Sequence, residues 1–443
     1  MSSGRITYER RLSLFDGTMA VVGGIIGAGI FLNPSIVAQR TATPGLTLAA
    51  WGAGGAVALI GALCYGELGA RRPLAGGSYI YLRDAFGPVL AFLYGWTYLL
   101  VVNTGGIAAV AVTFAGYACS LAAWPVRAIV PVAIAAIVLL SGINYRGIRP
   151  GSMTVNIFSL LRLLALALLV GAGFLGNGGM MPAGGLPEPQ APPAGVLPAL
   201  GAALIPVLFA YGGWQHANHI AGEIRNPQRN LPLALLVGVA IVVAVYMLAN
   251  FALLRVLGVS GLAASTAPAA DTMRLTLGPL GGGLIAAGIA CSTFGFLGMA
   301  IMAGPRIYQA MAEDGAFMPW AARLHPRFRT PARAILFQAG WAVLLTLSGT
   351  YAQLLDYVVF GDWIFFGLTV LALYAYRKRE SEGLEQASAV RAAGYPILPA
   401  LFVVAAAFTV ASSVRSNPTN AMLGTLLIAG GIPAYYLWRR TPQ

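Results

Sequence analysis

The sequence predicts an all-α polytopic membrane protein, and three observations carry that prediction. Of its 443 residues, 58% are hydrophobic and only 9% charged, far from the roughly one quarter charged of soluble domains. The apolar residues gather into twelve runs, each about long enough to cross a bilayer as a helix. The cations collect between these runs with a bias of side. If the N-terminus is cytoplasmic, only Arg40, Arg127, Arg255, Arg274 and Arg415 of the 27 Lys and Arg face outward, and Arg162 falls on neither side. By the positive-inside rule both termini are then cytoplasmic, as an even number of spans requires. The net charge of +13 is spread over short loops and makes no continuous basic face with interleaved aromatics. The expected surroundings are a lipid bilayer, with no nucleic-acid partner.

In chain order the runs lie at about 14–38, 46–69, 85–117, 125–145, 152–175, 197–222, 232–257, 275–305, 332–350, 352–376, 395–413 and 419–438. The polar start through Arg11 leads into the first run without a cleavage site, so the first helix is expected to be kept as an anchor. That run contains Gly23, Gly24, Gly27 and Gly29, each costing a helix interior roughly 1 kcal/mol against alanine. Gly23 and Gly27, four apart, suit a smooth packing face for a neighbouring helix. The other reading is a helix break whose freed backbone groups line a cavity. The sixth run carries Phe209-Ala210-Tyr211-Gly212-Gly213-Trp214 at its centre. Between the halves, Gly176 to Pro198 is rich in Gly and Pro with Glu188 as its charge, the composition of an irregular external loop.

Two interrupted helices at matching places, in five-span halves of about 14–175 and 197–376, point to an inverted repeat with a ligand between the breaks at the membrane midplane. The correspondence favours a binding site over simple packing. Two extra helices at about 395–438 complete a single transmembrane domain, and Cys64, Cys119 and Cys291, far apart in apolar stretches, are expected as free thiols.

Several segments carry a resemblance to a known family. They are Gly24-Ile25-Ile26-Gly27-Ala28-Gly29-Ile30-Phe31, Gly61-Ala62-Leu63-Cys64-Tyr65-Gly66-Glu67-Leu68-Gly69, Gly76-Gly77-Ser78-Tyr79, Phe209 to Trp214, and Glu223-Ile224-Arg225-Asn226-Pro227-Gln228-Arg229-Asn230-Leu231-Pro232. In this order the chain resembles the amino acid-polyamine-organocation superfamily, and within it the L-type amino acid transporter branch, from about residue 14 to 438. The resemblance implies a LeuT-type five-plus-five inverted repeat with twelve transmembrane helices, broken helices one and six, and movement of amino acids by alternating access. It implies no cofactor and no enzymatic activity.

An amino acid zwitterion needs donors for its carboxylate and acceptors for its ammonium, and a dry site leaves neither unpaired. Amides of Gly27, Ala28 and Gly29 would begin an outer half-helix whose positive end favours an anion. Carbonyls of Ile25, Phe209 and Gly212 could take the ammonium, and glycines permit the close approach. Such backbone recognition reads what all α-amino acids share. The resemblance makes Phe209 an aromatic gate and places Val102, Gly106, Trp214, Gln215 and Phe296 along the side-chain pocket. Ordinary core packing is the competing reading for each aromatic.

Arg162, in Leu160-Leu161-Arg162-Leu163-Leu164, is an intramembrane charge, which marks function by default, against snorkelling to an interface as the alternative. The resemblance puts a lysine here in many members, standing where sodium-coupled relatives bind sodium. Arginine departs from that pattern, because a guanidinium does not lose its proton. Asp362, in Phe360-Gly361-Asp362-Trp363, has three readings: a carboxyl kept neutral by burial, a proton carrier, or a counter-charge for a polar or cationic substrate. Glu67 and Glu223 lie near cytoplasmic ends, where pairing with Arg71, Arg72 or Arg225 is expected.

His216, His219 and Glu223, at spacings of three and four, could share a helical face and bind zinc in a membrane-embedded hydrolase. There is no His-Glu-x-x-His motif to support it. An ion channel is disfavoured by the lack of a filter motif. Animal L-type transporters join a single-span glycoprotein through an external cysteine after the third helix. Here the loop Ser120-Leu121-Ala122-Ala123-Trp124-Pro125 has none, so no heavy-chain glycoprotein partner is expected and a bacterial inner-membrane protein is. The function expected is sodium-independent exchange of neutral L-amino acids, small or medium in side chain because Phe296 would narrow the pocket. The alternative is a proton-coupled or uniport amino acid or amine permease using Asp362.

Overall fold

Backbone groups in hydrocarbon have no water to bond, and helices answer that constraint within each segment. The computed structural model describes residues 7–175, 195–349 and 351–439. Among them every regular element is helical, and the one β contact is an isolated bridge between Leu12 and Ile224. Ser13 opens α1 (Leu14–Ile25) with a capping box, its hydroxyl accepting from Asp16 N while the Asp16 carboxylate accepts from Ser13 N, so two orphan amides are satisfied at once. After a break comes α2 (Gly29–Thr41), bent 45° from α1. Thr43 caps α3 (Pro44–Arg71), with Pro44 in the first turn, where its missing N–H costs nothing.

The third run departs from the expected 85–117. Gly87 (φ +93) and Pro88 separate a short helix α4 (Ser78–Phe86) from the span proper. That span is α5 (Pro88–Thr97), a π turn (Tyr98–Val102) and α6 (Asn103–Leu121). The π turn releases the Leu100 carbonyl to accept from Trp341 Nε1 at 3.1 Å, and π turns of this kind concentrate at functional sites. Next come α7 (Ile129–Tyr145), α8 (Ile148–Leu175), α9 (Val196–Tyr211), the four-residue α10 (His216–His219) and α11 (Pro227–Ala264), kinked at Gly258. Gly278 (φ +67) divides the eighth run, expected at 275–305, into a short α12 (Pro268–Leu277) and a long α13 (Pro279–Glu313). The chain ends with α14 (Ala332–Ser348), α15 (Tyr351–Ser381), α16 (Ile397–Ser416) and α17 (Pro418–Arg439). All twelve runs thus hold helices. Among the described residues, nine are long and apolar enough to span by themselves and the α1 and α2 pair makes one more. Most of the expected external loop, residues 176–194, lies outside the described residues.

The broken helix α1 packs among α8, α11 and α13, and α2 packs on α9 and α11, while α16 and α17 stand against α15 and α5 at the periphery. The segment before α1 is tied down. Leu12 N donates to Glu223 O at 2.9 Å and Arg225 N to Leu12 O at 2.8 Å, and the Leu12 side chain is buried. Glu223 does not pair with Arg225 as expected. Ile224 is extended and turns Arg225 to the surface, and Glu223 instead accepts from Arg306 on α13 at 2.9 and 3.1 Å. Tyr8 lies 5.9 Å from the Arg306 guanidinium. Burial raises its phenol well above the ordinary value against the pull of Arg306, so the ring stays neutral. Glu67 does pair with Arg71, at 2.7 Å, and also with Arg377 on α15, at 2.6 Å, whereas Arg72 goes to Asp84 and Glu385. Cys64, Cys119 and Cys291 are free.

Removing one partner of a buried ion pair leaves an uncompensated charge and costs about 3–5 kcal/mol. Glu223→Gln is therefore expected to lower the melting temperature in detergent sharply, and Glu223→Gln with Arg306→Met to recover part of the loss. An unchanged melt for Glu223→Gln would mean that the pair holds nothing together.

Candidate functional site

The two expected breaks meet. In the first, the Ile26 amide still bonds Val22 O, but Ile26 is extended and α2 restarts at Gly29. In the second, Gly212 is extended after its amide closes on Phe209 O, and Gly213 sits at φ +113. A Cβ on Gly24 would lie 2.4 Å from Gly213 O, and one on Gly213 would lie 1.9 Å from Gly24 O. The two chains therefore cross backbone on backbone, which no side chain permits. Gly29 approaches Ala210 in the same way, at 3.2 Å. Tyr246 of α11 sets its hydroxyl between the breaks, 3.4 Å from Ile25 O and 3.3 Å from Ala210 O. Asn33 of α2 donates to Pro206 O at 2.8 Å.

The amides of Gly27, Ala28 and Gly29 make no hydrogen bond among the described residues. They sit at the positive end of α2, where an anion is favoured. Gly27, Ala28 and Gly212 in the breaks, and Gly29, Gly106, Phe296 and Asp362 on helices, are half-buried among residues that are mostly buried. A Cβ on Gly27 would be 3.8 Å from the Phe296 ring, so that ring faces the first break, and it stands edge-on to His216. Gly106 meets open space, and Val102, which is buried, approaches Gly361. Phe209 is 41% exposed at the end of α9. Trp214 is fully buried against Tyr65, Phe366 and Phe402, so here core packing is what the indole does. Gln215 is buried, and its Oε1 has no partner among the described residues.

Arg162 is fully buried in α8, which removes the snorkelling alternative. Its Nη1 donates to Gly23 O at 2.8 Å and Ile26 O at 2.5 Å, and its Nε to Phe158 O at 3.2 Å. These first two carbonyls belong to the C-terminal end of α1, where the helix dipole favours a cation. Ser292 of α13 joins them, 3.2 Å from Ile26 O and 3.3 Å from Gly27 O. Gly295 makes room, since a Cβ there would fall 2.0 Å from Arg162 Nη2. No carboxylate pairs with Arg162 among the described residues. Asp362 also has neither hydrogen-bond nor ion-pair partner among them. The phenols of Tyr65, Tyr94 and Tyr98 are its electrostatic neighbours.

The zinc face does not form. Helix α10 ends at His219 and Ile220 is non-helical, so Glu223 leaves the face and binds Arg306. His216 Nδ1 is 2.7 Å from Gly213 O and His219 Nε2 is 3.0 Å from Tyr94 OH. Among the described residues no group of His, Cys, Asp and Glu is arranged for a metal. Sequence reasoning missed Tyr246, Asn33 and Ser292. Each is a single polar residue in an apolar run, and only its direction toward the breaks distinguishes it.

The family model for amino acid permeases matches residues 12–432 of this chain. The human b(0,+)-type amino acid transporter 1 is 33% identical over 441 residues, covering 98% of this chain and 88% of that protein. The serine/threonine exchanger SteT of Bacillus subtilis (strain 168) is 31% identical over 432 residues, covering 97% and 96%. The human large neutral amino acids transporter small subunit 2 is 29% identical over 452 residues, covering 99% and 83%.

The crossing can be tested by thermal unfolding in detergent. Gly213→Ala, strained at positive φ and blocked by Gly24, is expected to abolish the folded protein or lower its melting temperature steeply. Gly52→Ala meets nothing within 4 Å in α3 and should leave it unchanged or raise it, by about 1 kcal/mol of helix propensity at most. Equal melts for the two variants would mean that the breaks do not touch.

Proposed function

The chain belongs to the amino acid permease family, a group of amino acid transporters, and from that premise we propose that it exchanges neutral L-α-amino acids without sodium, by alternating access. The observation that carries this reading is the Arg162 guanidinium on the carbonyls of Gly23 and Ile26. A cation is built in where the end of α1 calls for one, and it is a permanent cation. With no ion to take up at that place, the gradient of the amino acid itself drives the cycle, and each inward passage is matched by an outward one. The name of the SteT relative, an exchanger, fits this mode.

In this reading the substrate carboxylate bonds the free amides of Gly27, Ala28 and Gly29, and its ammonium bonds carbonyls among Ile25, Phe209 and Gly212. The first group is an uncapped helix start and the second a pair of helix ends, so both charges meet dipoles of the right sign. Phe209 closes over the ligand. Val102, Gly106, Gln215 and Phe296 line the side-chain pocket, with Trp214 supporting them from behind, and Phe296 limits the side chain to small or medium size. The protein works without a heavy-chain glycoprotein, as two repeats of about 14–175 and 197–376 with two added helices, in a bacterial inner membrane with both termini cytoplasmic. The second reading, a proton-coupled or uniport permease, has the unpaired carboxylate of Asp362 in its favour.

Proteoliposomes decide between the two. At equal pH and without sodium, labelled serine or leucine should enter only vesicles preloaded with amino acid, and added sodium should not stimulate it. Accumulation in empty vesicles under a pH gradient would instead support the second reading.

Arg162→Lys supplies a further check. A lysine in that desolvated place can lose its proton, so its charge is present at low pH and lost as pH rises. Exchange by the lysine variant is therefore expected to fall as pH rises while the parent stays flat. Parallel profiles would mean that the charge at position 162 does not matter.

A further inference from the structure

We propose that arginines from three separate parts of the chain form a binding site for the phosphate of an anionic phospholipid, at the membrane end where α7 turns into α8. The site is separate from the broken helices and does not depend on what they carry.

The sequence scatters its cations over short loops, but the fold gathers three of those loops. Arg11 before α1, Arg146 and Arg149 at the turn from α7 to α8, and Arg327 and Arg329 before α14 line one cavity of about 90 Å³. A bias of arginines toward one side of a membrane asks only that they lie on that side. It does not ask that distant segments present them to one space. These segments are also fixed by other contacts than their guanidinium groups. Leu12 bonds Glu223 and Arg225 through its backbone, and in the loop before α14 His325 Nδ1 accepts from Arg327 N and Phe328 N at 3.2 Å. Thr330 Oγ1 donates to Tyr145 O at 2.9 Å, which docks that loop on the end of α7. A site held ready in this way loses little to ordering when its ligand arrives.

The charges around the cavity do not balance. Two carboxylates line it, Glu9 and Glu223. Glu223 is buried and held by Arg306, while Glu9 pairs with Arg11 and, at 3.4 Å, with Arg329. Asp16 is within electrostatic reach of Arg149, but its oxygens accept from Ser13 and Asn156. Arg146, Arg149 and Arg327 are exposed and have no carboxylate partner among the described residues. The start of α8 adds to their field. The amides of Ile148 and Arg149 make no hydrogen bond among the described residues, and the positive end of a helix favours an anion. Guanidinium groups beside free amides suit the oxygens of a phosphate.

What adjoins the arginines selects a lipid over a soluble anion. Helices α7 and α8 are each long and apolar enough to cross a membrane, so the short turn between them lies at a membrane surface. One and two turns beyond Arg149 on α8 come Met153 and Ile157, followed by Leu160 and Leu164, all of them exposed. Their spacing of three and four sets them in one apolar column that leads away from the arginine. A phosphate at the head of such a column, with an acyl chain along it, is the shape of a phospholipid. A soluble phosphate has no use for the column. Basic pockets between spanning helices hold lipid head groups through the same chemistry.

The test uses the full-length protein purified in a neutral detergent, with dioleoylphosphatidylglycerol, dioleoylphosphatidylcholine or sodium phosphate added at equal concentration. Phosphatidylglycerol is expected to raise the melting temperature of the parent, and the other two to leave it unchanged. In the triple variant Arg146→Gln, Arg149→Gln and Arg327→Gln the shift should fall to less than about half, and the phosphatidylglycerol retained in native mass spectra should fall about tenfold. A control with the same loss of charge at exposed arginines elsewhere, Arg127→Gln, Arg274→Gln and Arg415→Gln, should keep both. If the triple variant does not fold, Arg149→Glu alone is measured in its place. A parent that does not respond to phosphatidylglycerol, or responds equally to phosphatidylcholine, overturns the proposal. So does an equal response in the parent and the triple variant, or an equal loss in the control, which assigns the effect to net charge. A shift by sodium phosphate as large as that by phosphatidylglycerol assigns the arginines to a soluble anion and overturns the lipid site.

Discussion

Everything at the centre of this protein depends on two backbones touching. Gly24 and Gly213 approach so closely that a single methyl group on either would overlap the carbonyl of the other. Neither helix can continue undisturbed through such a crossing, so each breaks beside it, and in an apolar medium each break frees backbone groups that need partners. The partners come from several helices at once. Arg162 and Ser292 take the carbonyls at the end of α1, and Tyr246 lies against carbonyls from both breaks. What remains unpaired is the start of α2, and that remainder is what an anionic group can use. The site is thus the unsatisfied residue of a packing problem that the neighbouring helices have mostly solved.

The charges follow the same logic. The membrane interior tolerates an ion only when something opposes it, and this chain opposes its ions in three ways. Glu67 and Glu223 meet arginines directly. Arg162 meets a helix end, with no carboxylate at all. Asp362 lies among the phenols of Tyr65, Tyr94 and Tyr98. The first arrangement ties helices together, the second props the first break, and the third leaves a carboxyl group with neither hydrogen-bond nor ion-pair partner among the described residues.

Much of this was legible in the residue order. Apolar run length gave the helices, because the bilayer imposes that length on composition. The breaks were legible because glycine is costly in a helix and four of them in one run need a reason. Arg162 and Asp362 stood out as charges where charges are expensive. What stayed hidden was partnership across long sequence distances. Nothing near Glu223 announces Arg306, and the nearer Arg225 looked the better partner until Ile224 turned it outward. The resemblance placed Trp214 along the pocket, yet after Gly213 at positive φ its indole packs in the core against Tyr65 and Phe402. The zinc face failed for a related reason: α10 stops after four residues, and a spacing rule assumes that the helix goes on.

The contacts on either side of the first break divide it mechanically. On one side, α1 is fastened to α8 by Arg162, by Ser159 donating to Met19 O and by Asn156 bonding Asp16, and to α13 by Ser292. On the other side, α2 is fastened to α9 by Asn33 on Pro206 O, by Arg40 on Ala202 O and by the approach of Gly29 to Ala210, and to the end of α11 by Gln39. Gly27 and Ala28 connect the two groups along this chain, and their amides make no hydrogen bond among the described residues. A hinge is a short stretch that absorbs dihedral change between bodies that stay packed. The fastenings join α1 to α8 and α13 and α2 to α9, while α11 packs against both halves. A ligand whose carboxylate is held by the amides of Gly27 to Gly29 therefore sits on the joint itself, and binding there bears on both bodies at once.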